Sequence, residues 1–167
     1  MNNLTVKIKK IESAGELENL IQQNQLEILD ESCNTYCYIT IEDDYIIGIE
    51  YRSHGIDIEY TFIDNKRYIY LGVGTYLLCL NIKKRKVVFC EKLGSVFLDL
   101  LSDLFNCYCI VICELDIYVY KNKNQLWKIG FRDIVVNYEL VNNKYIKLVT
   151  DNGEEWVFSL KDGKVVL

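Results

Sequence analysis

This chain contains no proline and a single histidine. With Asn, Lys and Ile abundant, the missing proline reads as AT-rich coding sequence and carries no functional message. The single histidine says more. A zinc site built on imidazole, or a Ser–His or Cys–His pair, would have to use His54. His54 sits in Ser53-His54-Gly55, a turn sequence, where a solvated side chain is expected. A basic excess is also missing, since 19 Lys and Arg stand against 24 Asp and Glu, a net charge of −5. Nucleic-acid binding, which needs a basic footprint, is therefore disfavoured, and Lys83 to Lys86 is expected to be a solvated hairpin tip. No apolar run approaches the roughly 18 residues of a membrane span. The N-terminal MNNLTVKIKKIES lacks the uninterrupted apolar core of a secretory signal, so a cytoplasmic protein is expected. P-loop, G-x-S-x-G and H-E-x-x-H motifs are absent. Gly72-Val73-Gly74 has no third glycine and no following helix, and it reads as a turn.

Half of the 167 residues are apolar and 26% are charged, a globular composition with chain enough for one core. A single domain is expected over 1–167, with a strand–helix–strand segment over 1–33 and a β-meander over 34–167. The fold class is mainly β (α+β), an antiparallel meander that is open, curled or propeller-like. Seven cysteines are present. Five of them (Cys37, Cys79, Cys107, Cys109, Cys113) fall in apolar runs and read as reduced core thiols. Neither Cys33/Cys37 nor Cys107/Cys109/Cys113 has zinc-knuckle spacing, so no metal or other cofactor is expected.

The segment from Cys107 to Asp133, CYCIVICELDIYVYKNKNQLWKIGFRD, is the most telling. Cys107 to Cys113 is apolar without alternation, as in a central strand buried on both faces. From Leu115 the period becomes two, with a turn at Glu114 to Asp116 and another at Lys121 to Asn124. Leu126, Trp127 and Ile129 are expected to return to the core. Upstream, Ser13-Ala14-Gly15-Glu16 has capping-box spacing, which predicts a short helix from Ala14 to Asn24. Between Ser95 and Asn106, Val96, Phe97, Leu100, Leu101, Leu104 and Phe105 recur at helical spacing behind Ser95. They predict a second helix near 95–105, with a strand as the alternative. Asn-Gly and Asp-Gly at Asp151-Asn152-Gly153 and Lys161-Asp162-Gly163 predict hairpins.

Three stretches align: YIYLGVGTYLLCLNIKKRKVVF from Tyr68, YCIVICELDIYVYKNKNQLWKI from Tyr108 and YIKLVTDNGEEWVFSLKDGKVVL from Tyr145. Each reads strand, tight turn, strand, polar turn, short strand, at spacings of about 40 and then 37 residues. Residues 68–167 thus resemble the blade repeats of β-propellers of the quinoprotein or WD type. No specific family is identified.

The candidate binding residues are Glu114, Asp116, Trp127 and Arg132. Glu114 closes a buried strand and needs a partner, for which Arg132 and Lys128 are the candidates. Tyr60, Tyr68, Tyr70, Tyr118, Tyr120, Tyr138 and Tyr145 are expected on sheet positions, some facing solvent, where tyrosine makes good protein-binding surface. The expected function is a non-enzymatic protein–protein interaction module with another protein as partner, of a bacterial immunity or inhibitor type. The alternative is a small-molecule-binding or enzymatic β-protein with a pocket at Glu114, Asp116 and Arg132.

Overall fold

The computed structural model describes residues 4–21, 25–42, 44–105 and 107–166. These residues form fifteen strands and one helix, in two compact units, 1–58 and 59–167. The segment read as one meander is thereby divided, because the first two of its strands join the N-terminal ones.

In the first unit, β1 (Val6–Ile11), β2 (Leu26–Ile28), β3 (Thr35–Ile41) and β4 (Tyr45–Tyr51) make a sheet of order β1-β3-β4-β2, with β2 parallel to β4. Helix α1 (Ala14–Leu20) starts where the capping box predicts: Ser13 Oγ accepts from Glu16 N at 3.2 Å. The Glu16 carboxylate reaches back to accept from Glu12 N at 3.2 Å. The helix stops at Leu20, and Asn24, its expected end, lies outside the described residues. Leu17 is the helix's buried residue and seats it against the sheet.

The second unit is three consecutive antiparallel sheets. The first holds β5 (Glu59–Ile63), β6 (Tyr68–Val73), β7 (Tyr76–Asn81) and β8 (Lys86–Lys92). The second holds β9 (Phe97–Ser102), β10 (Tyr108–Cys113), β11 (Asp116–Lys121) and β12 (Asn124–Gly130). The third holds β13 (Val135–Val141), β14 (Tyr145–Thr150) and β15 (Glu155–Ser159), with Val165 bridging back to Phe158. Local chemistry sets the turns. Gly74 takes φ 60° before Thr75, the II′ pattern, and Asn122 and Lys123 take φ 49° and 79°, the I′ pattern.

The predicted second helix is strand β9. Its residues pair with β10, Leu100 beside Val111 and Leu101 beside Ile110, and Phe97 is fully buried against the preceding sheet. A strand packed on both faces carries a continuous apolar run, and such a run also satisfies helical spacing. Leu104 and Phe105 then fall in the β9–β10 loop and are exposed. Strand β10 occupies the expected interior position, between β9 and β11.

The repeat is visible in the backbone. Leu93 N donates to Thr75 O (2.8 Å), Phe97 N to Gly74 O (2.9 Å) and Glu114 N to Val96 O (2.9 Å). One repeat later, Phe131 N donates to Leu115 O (2.7 Å), Val135 N to Glu114 O (2.8 Å) and Asp151 N to Ile134 O (2.9 Å). Each linker between sheets is thus stitched to the hairpin before it and the hairpin after it.

Between the first two of these sheets, the rings of Tyr70, Phe89 and Tyr120 sit 5.8 Å apart pairwise. Between the second and third, Ile110, Ile112, Ile117 and Val119 pack on Val135, Ile146, Leu148, Phe158 and Leu160. Tyr68, Tyr70, Tyr118 and Tyr120 are buried in these interfaces, so they are not the exposed tyrosines that alternation suggested. Blade-to-blade packing buries both faces of the inner strands. Leu126 is likewise exposed, because a bulge between Val119 and Tyr120 displaces it from the register that carries Trp127 and Ile129 inward.

Candidate functional site

Asp116 opens β11 and is nearly buried. Its carboxylate accepts from Ser95 Oγ at 2.9 Å and pairs with Lys128 Nζ at 3.3 Å. Ser95 Oγ in turn accepts from Leu115 N at 3.0 Å, and Gly94 N donates to the Tyr118 hydroxyl at 2.6 Å. Ser95 is therefore a linker clamp rather than a helix cap. A Cβ on Gly94 would stand 2.6 Å from Asp116 Oδ2, so only glycine allows this approach. The Lys128 ammonium lies 4.7 Å above the Tyr118 ring. Its proton affinity is raised, first by its hydrogen bond to that hydroxyl and then by Asp116, against an opposing desolvation. The cluster is self-satisfied, and it binds the β8–β9 linker to the β10–β11 hairpin.

Glu114 sits in that hairpin, half-buried, and its backbone does the stitching described above. The expected carboxylate–cation pair is made by Asp116 and Lys128. Trp127 points elsewhere. Its Nε1–H donates to Leu160 O at 2.9 Å, its ring lies 6.1 Å from Phe158, and Gly163 packs on its face. It joins β12 to the third sheet.

Arg132 is exposed in the β12–β13 linker. It lines a concavity of about 370 Å³ together with Gly130, Phe131, Asp133, Asn152 and Trp156. The floor is ordered by Asn152, which donates to Asp133 Oδ2 at 2.9 Å and accepts from Thr150 Oγ1 at 2.8 Å. Trp156 is 36% exposed and stacks on Phe158 at 6.3 Å. Among the described residues, Arg132 has no ion-pair partner. Of the four residues singled out by sequence, then, Arg132 lines this opening, Glu114 and Asp116 lie in the neighbouring hairpin, and Trp127 faces a different contact. Trp156 was missed. Its signal was the alternation of EWVFS, in which a large aromatic stands beside a hairpin tip.

Other candidates are accounted for by packing. Cys37, Cys79, Cys109 and Cys113 are buried free thiols, and burial pushes the first two up to about 12 and the others well above the ordinary range. Cys107 lies just ahead of β10 and is only half-buried, so it is not the core thiol its apolar run suggested. Among the described residues no three His, Cys, Asp or Glu converge as a metal site, and no helix is long and apolar enough to cross a membrane. His54 and Lys83 to Lys86 are exposed, the latter at the β7–β8 turn.

No family model matches this chain, and no curated protein does. Solved structures do match. The β-propeller domain of Myceliophteria thermophila Cps50 (Swd1) superposes over 83% of this chain and 54% of its own, with TM-score 0.54 and 13% identity. Kuenenia stuttgartiensis hydrazine synthase superposes over 86% of this chain and 48% of its own, with TM-score 0.59 and 11% identity. BBS1N, solved in complex with ARL6DN, superposes over 77% of this chain and 46% of its own, with TM-score 0.51 and 11% identity. This chain spans about half the length of the solved chains it matches. The solved chains it resembles are thus β-propeller domains, whose blade-like antiparallel sheets it shares.

Proposed function

We propose that this protein is a non-enzymatic interaction module that binds another protein through the concavity at Arg132 and Trp156. The observation that carries the reading is the pairing there of a guanidinium without an ion-pair partner among the described residues with a partly exposed indole on a rigid hairpin floor. Tryptophan and arginine are the side chains that dominate binding energy at protein interfaces, and a floor already ordered by Asn152 costs little entropy on association. One of the solved chains with this fold, BBS1N, is itself held in a complex with ARL6DN. The acidic net charge of −5 favours a basic partner surface. An immunity-type or inhibitor role in a bacterial cytoplasm is the finer form of this proposal.

Small-molecule binding at Glu114, Asp116 and Arg132 is less favoured, because Asp116 is already satisfied by Ser95 and Lys128. The test is co-purification of the untagged protein from its own host, run beside Arg132→Glu and Trp156→Ala variants whose melting is first shown to be unchanged. A partner held at fixed stoichiometry by the parent and released by both variants is expected. A parent that elutes alone, or variants that keep the same partner, would overturn the proposal.

A further inference from the structure

The second unit of this acidic chain carries a locally basic opening. A cavity of about 310 Å³ is lined by Tyr108 at the start of β10, by Asn143 and Lys144 in the β13–β14 turn, and by Leu160 and Lys161 just after β15. No acid is among its described lining residues. Lys144 and Lys161 make no ion pair among the described residues. A third ammonium stands beside them. Lys121 pairs with Tyr108 across β10 and β11, and its Nζ lies 5.1 Å from the centroid of that ring.

Backbone bonds hold the two lysines together. Leu160 N donates to Lys144 O at 2.9 Å, and Lys144 N donates to Val141 O at 3.1 Å. Leu160 O accepts from Trp127 Nε1 at 2.9 Å, and Gly163 N closes the second turn on Ser159 O at 2.8 Å. Asn143 accepts at Oδ1 from Leu104 N at 3.2 Å, which leaves its Nδ2 as the donor for a guest. The acids nearest in the chain are engaged elsewhere. Asp103 accepts from Cys107 N and Tyr108 N, both at 2.7 Å, and Asp162 pairs with Lys164 at 3.6 Å.

Ammonium groups gathered round one opening repel each other, and a guest of opposite charge relieves that repulsion. Lysine offers donors and no acceptor, and the Asn143 amide and the Tyr108 hydroxyl add further donors. This set suits an anion with several acceptor oxygens and more than one charge, which is a phosphate dianion rather than a carboxylate. The volume leaves room for the phosphate and a small substituent against the Tyr108 ring.

We propose that this opening binds a phosphate dianion, as the free ion or as a small ester, between Lys144 and Lys161. It shares no lining residue with the Arg132–Trp156 concavity, and either site can fail alone.

The test is an amide NMR titration of the full chain with phenyl phosphate, inorganic phosphate and benzenesulfonate, at constant ionic strength and about pH 7.5, where phosphate is mostly dianionic. Saturable shifts at Tyr108, Asn143, Lys144, Lys161 and their chain neighbours are expected with a phosphate. Benzenesulfonate, similar in shape but singly charged, should bind roughly threefold to tenfold more weakly. Equal affinity for the two phosphates assigns the site to the phosphate group alone, and tighter binding of phenyl phosphate assigns it to an ester. Lys144→Gln combined with Lys161→Gln should lower the affinity roughly tenfold. Lys83→Gln combined with Lys84→Gln removes the same charge at the β7–β8 turn and should leave it unchanged. All four side chains are exposed, so both double variants should melt with the parent. The proposal is overturned if neither phosphate saturates, if benzenesulfonate binds as tightly, or if the Lys144–Lys161 variant binds no more weakly than the Lys83–Lys84 variant.

Discussion

Gly72→Ala should destabilise the second unit through one ring. Gly72 lies on β6 inside the first of the three blade sheets, and a Cβ there would run into the Phe97 ring of the next. Phe97 is fully buried, so its ring has no free space to swing into, and its backbone N–H to Gly74 O (2.9 Å) holds its main chain in place. Overpacking of this kind costs about 1–3 kcal/mol. Phe97→Ala alone should cost about 3–5 kcal/mol, from lost burial and the cavity left behind. In the double variant the methyl added at position 72 occupies space the ring has vacated, so the clash vanishes and part of the void fills. Its cost should fall near that of Phe97→Ala, about 1–3 kcal/mol short of the sum of the two single variants. Urea unfolding followed by tryptophan fluorescence reads the correct unit, since Trp127 and Trp156 both lie beyond residue 58. Costs that add to within about 0.5 kcal/mol, or a Gly72→Ala variant as stable as the parent, would refute this packing.

Trp127→Phe keeps an aromatic ring against Phe158 and removes the Nε1–H bond to Leu160 O. A loss of about 1 kcal/mol in the same urea assay is expected. Of the seven cysteines, Cys90 is exposed and Cys33 and Cys107 are half-buried, so a thiol reagent should titrate these three in the folded protein and the other four only on unfolding. Cys37 and Cys79 ionise near 9 in the unfolded chain and at about 12 when folded. The folded state therefore holds more protons between those values, and stability should fall as pH rises from about 9 towards about 12, with less of a fall in a Cys37→Ala, Cys79→Ala variant.

Much of the second unit was legible because its signals are local. The turns at Glu114, Asn122 and Asn152 come from residues that accept tight or left-handed backbone, and the β-branched and aromatic content of Tyr108 to Cys113 favoured an interior strand over a buried helix, which β10 is. The forty-residue rhythm was legible for the same reason, since each blade repeats its turn chemistry. Phe97 to Ser102 was not, because its apolar spacing fits a helix as well as a strand packed on two faces. The site was legible only in part. Arg132 lines the concavity, but Asp116 found its partner in Lys128 and Ser95, and nothing in the linear order marks Ser95 as a hydroxyl that folds back onto a hairpin twenty residues on.

What the chain's own residues decided is therefore the series of hairpins and the capped first helix, both consequences of interactions between near neighbours. Tertiary structure alone decided which face each strand presents, because a strand stays ambiguous until a neighbouring sheet buries one side or both. The same long-range packing buried four tyrosines and turned Trp127 towards Leu160. It also left Trp156 at an opening and buried Glu50 on β4, placements that depend on residues far apart in sequence.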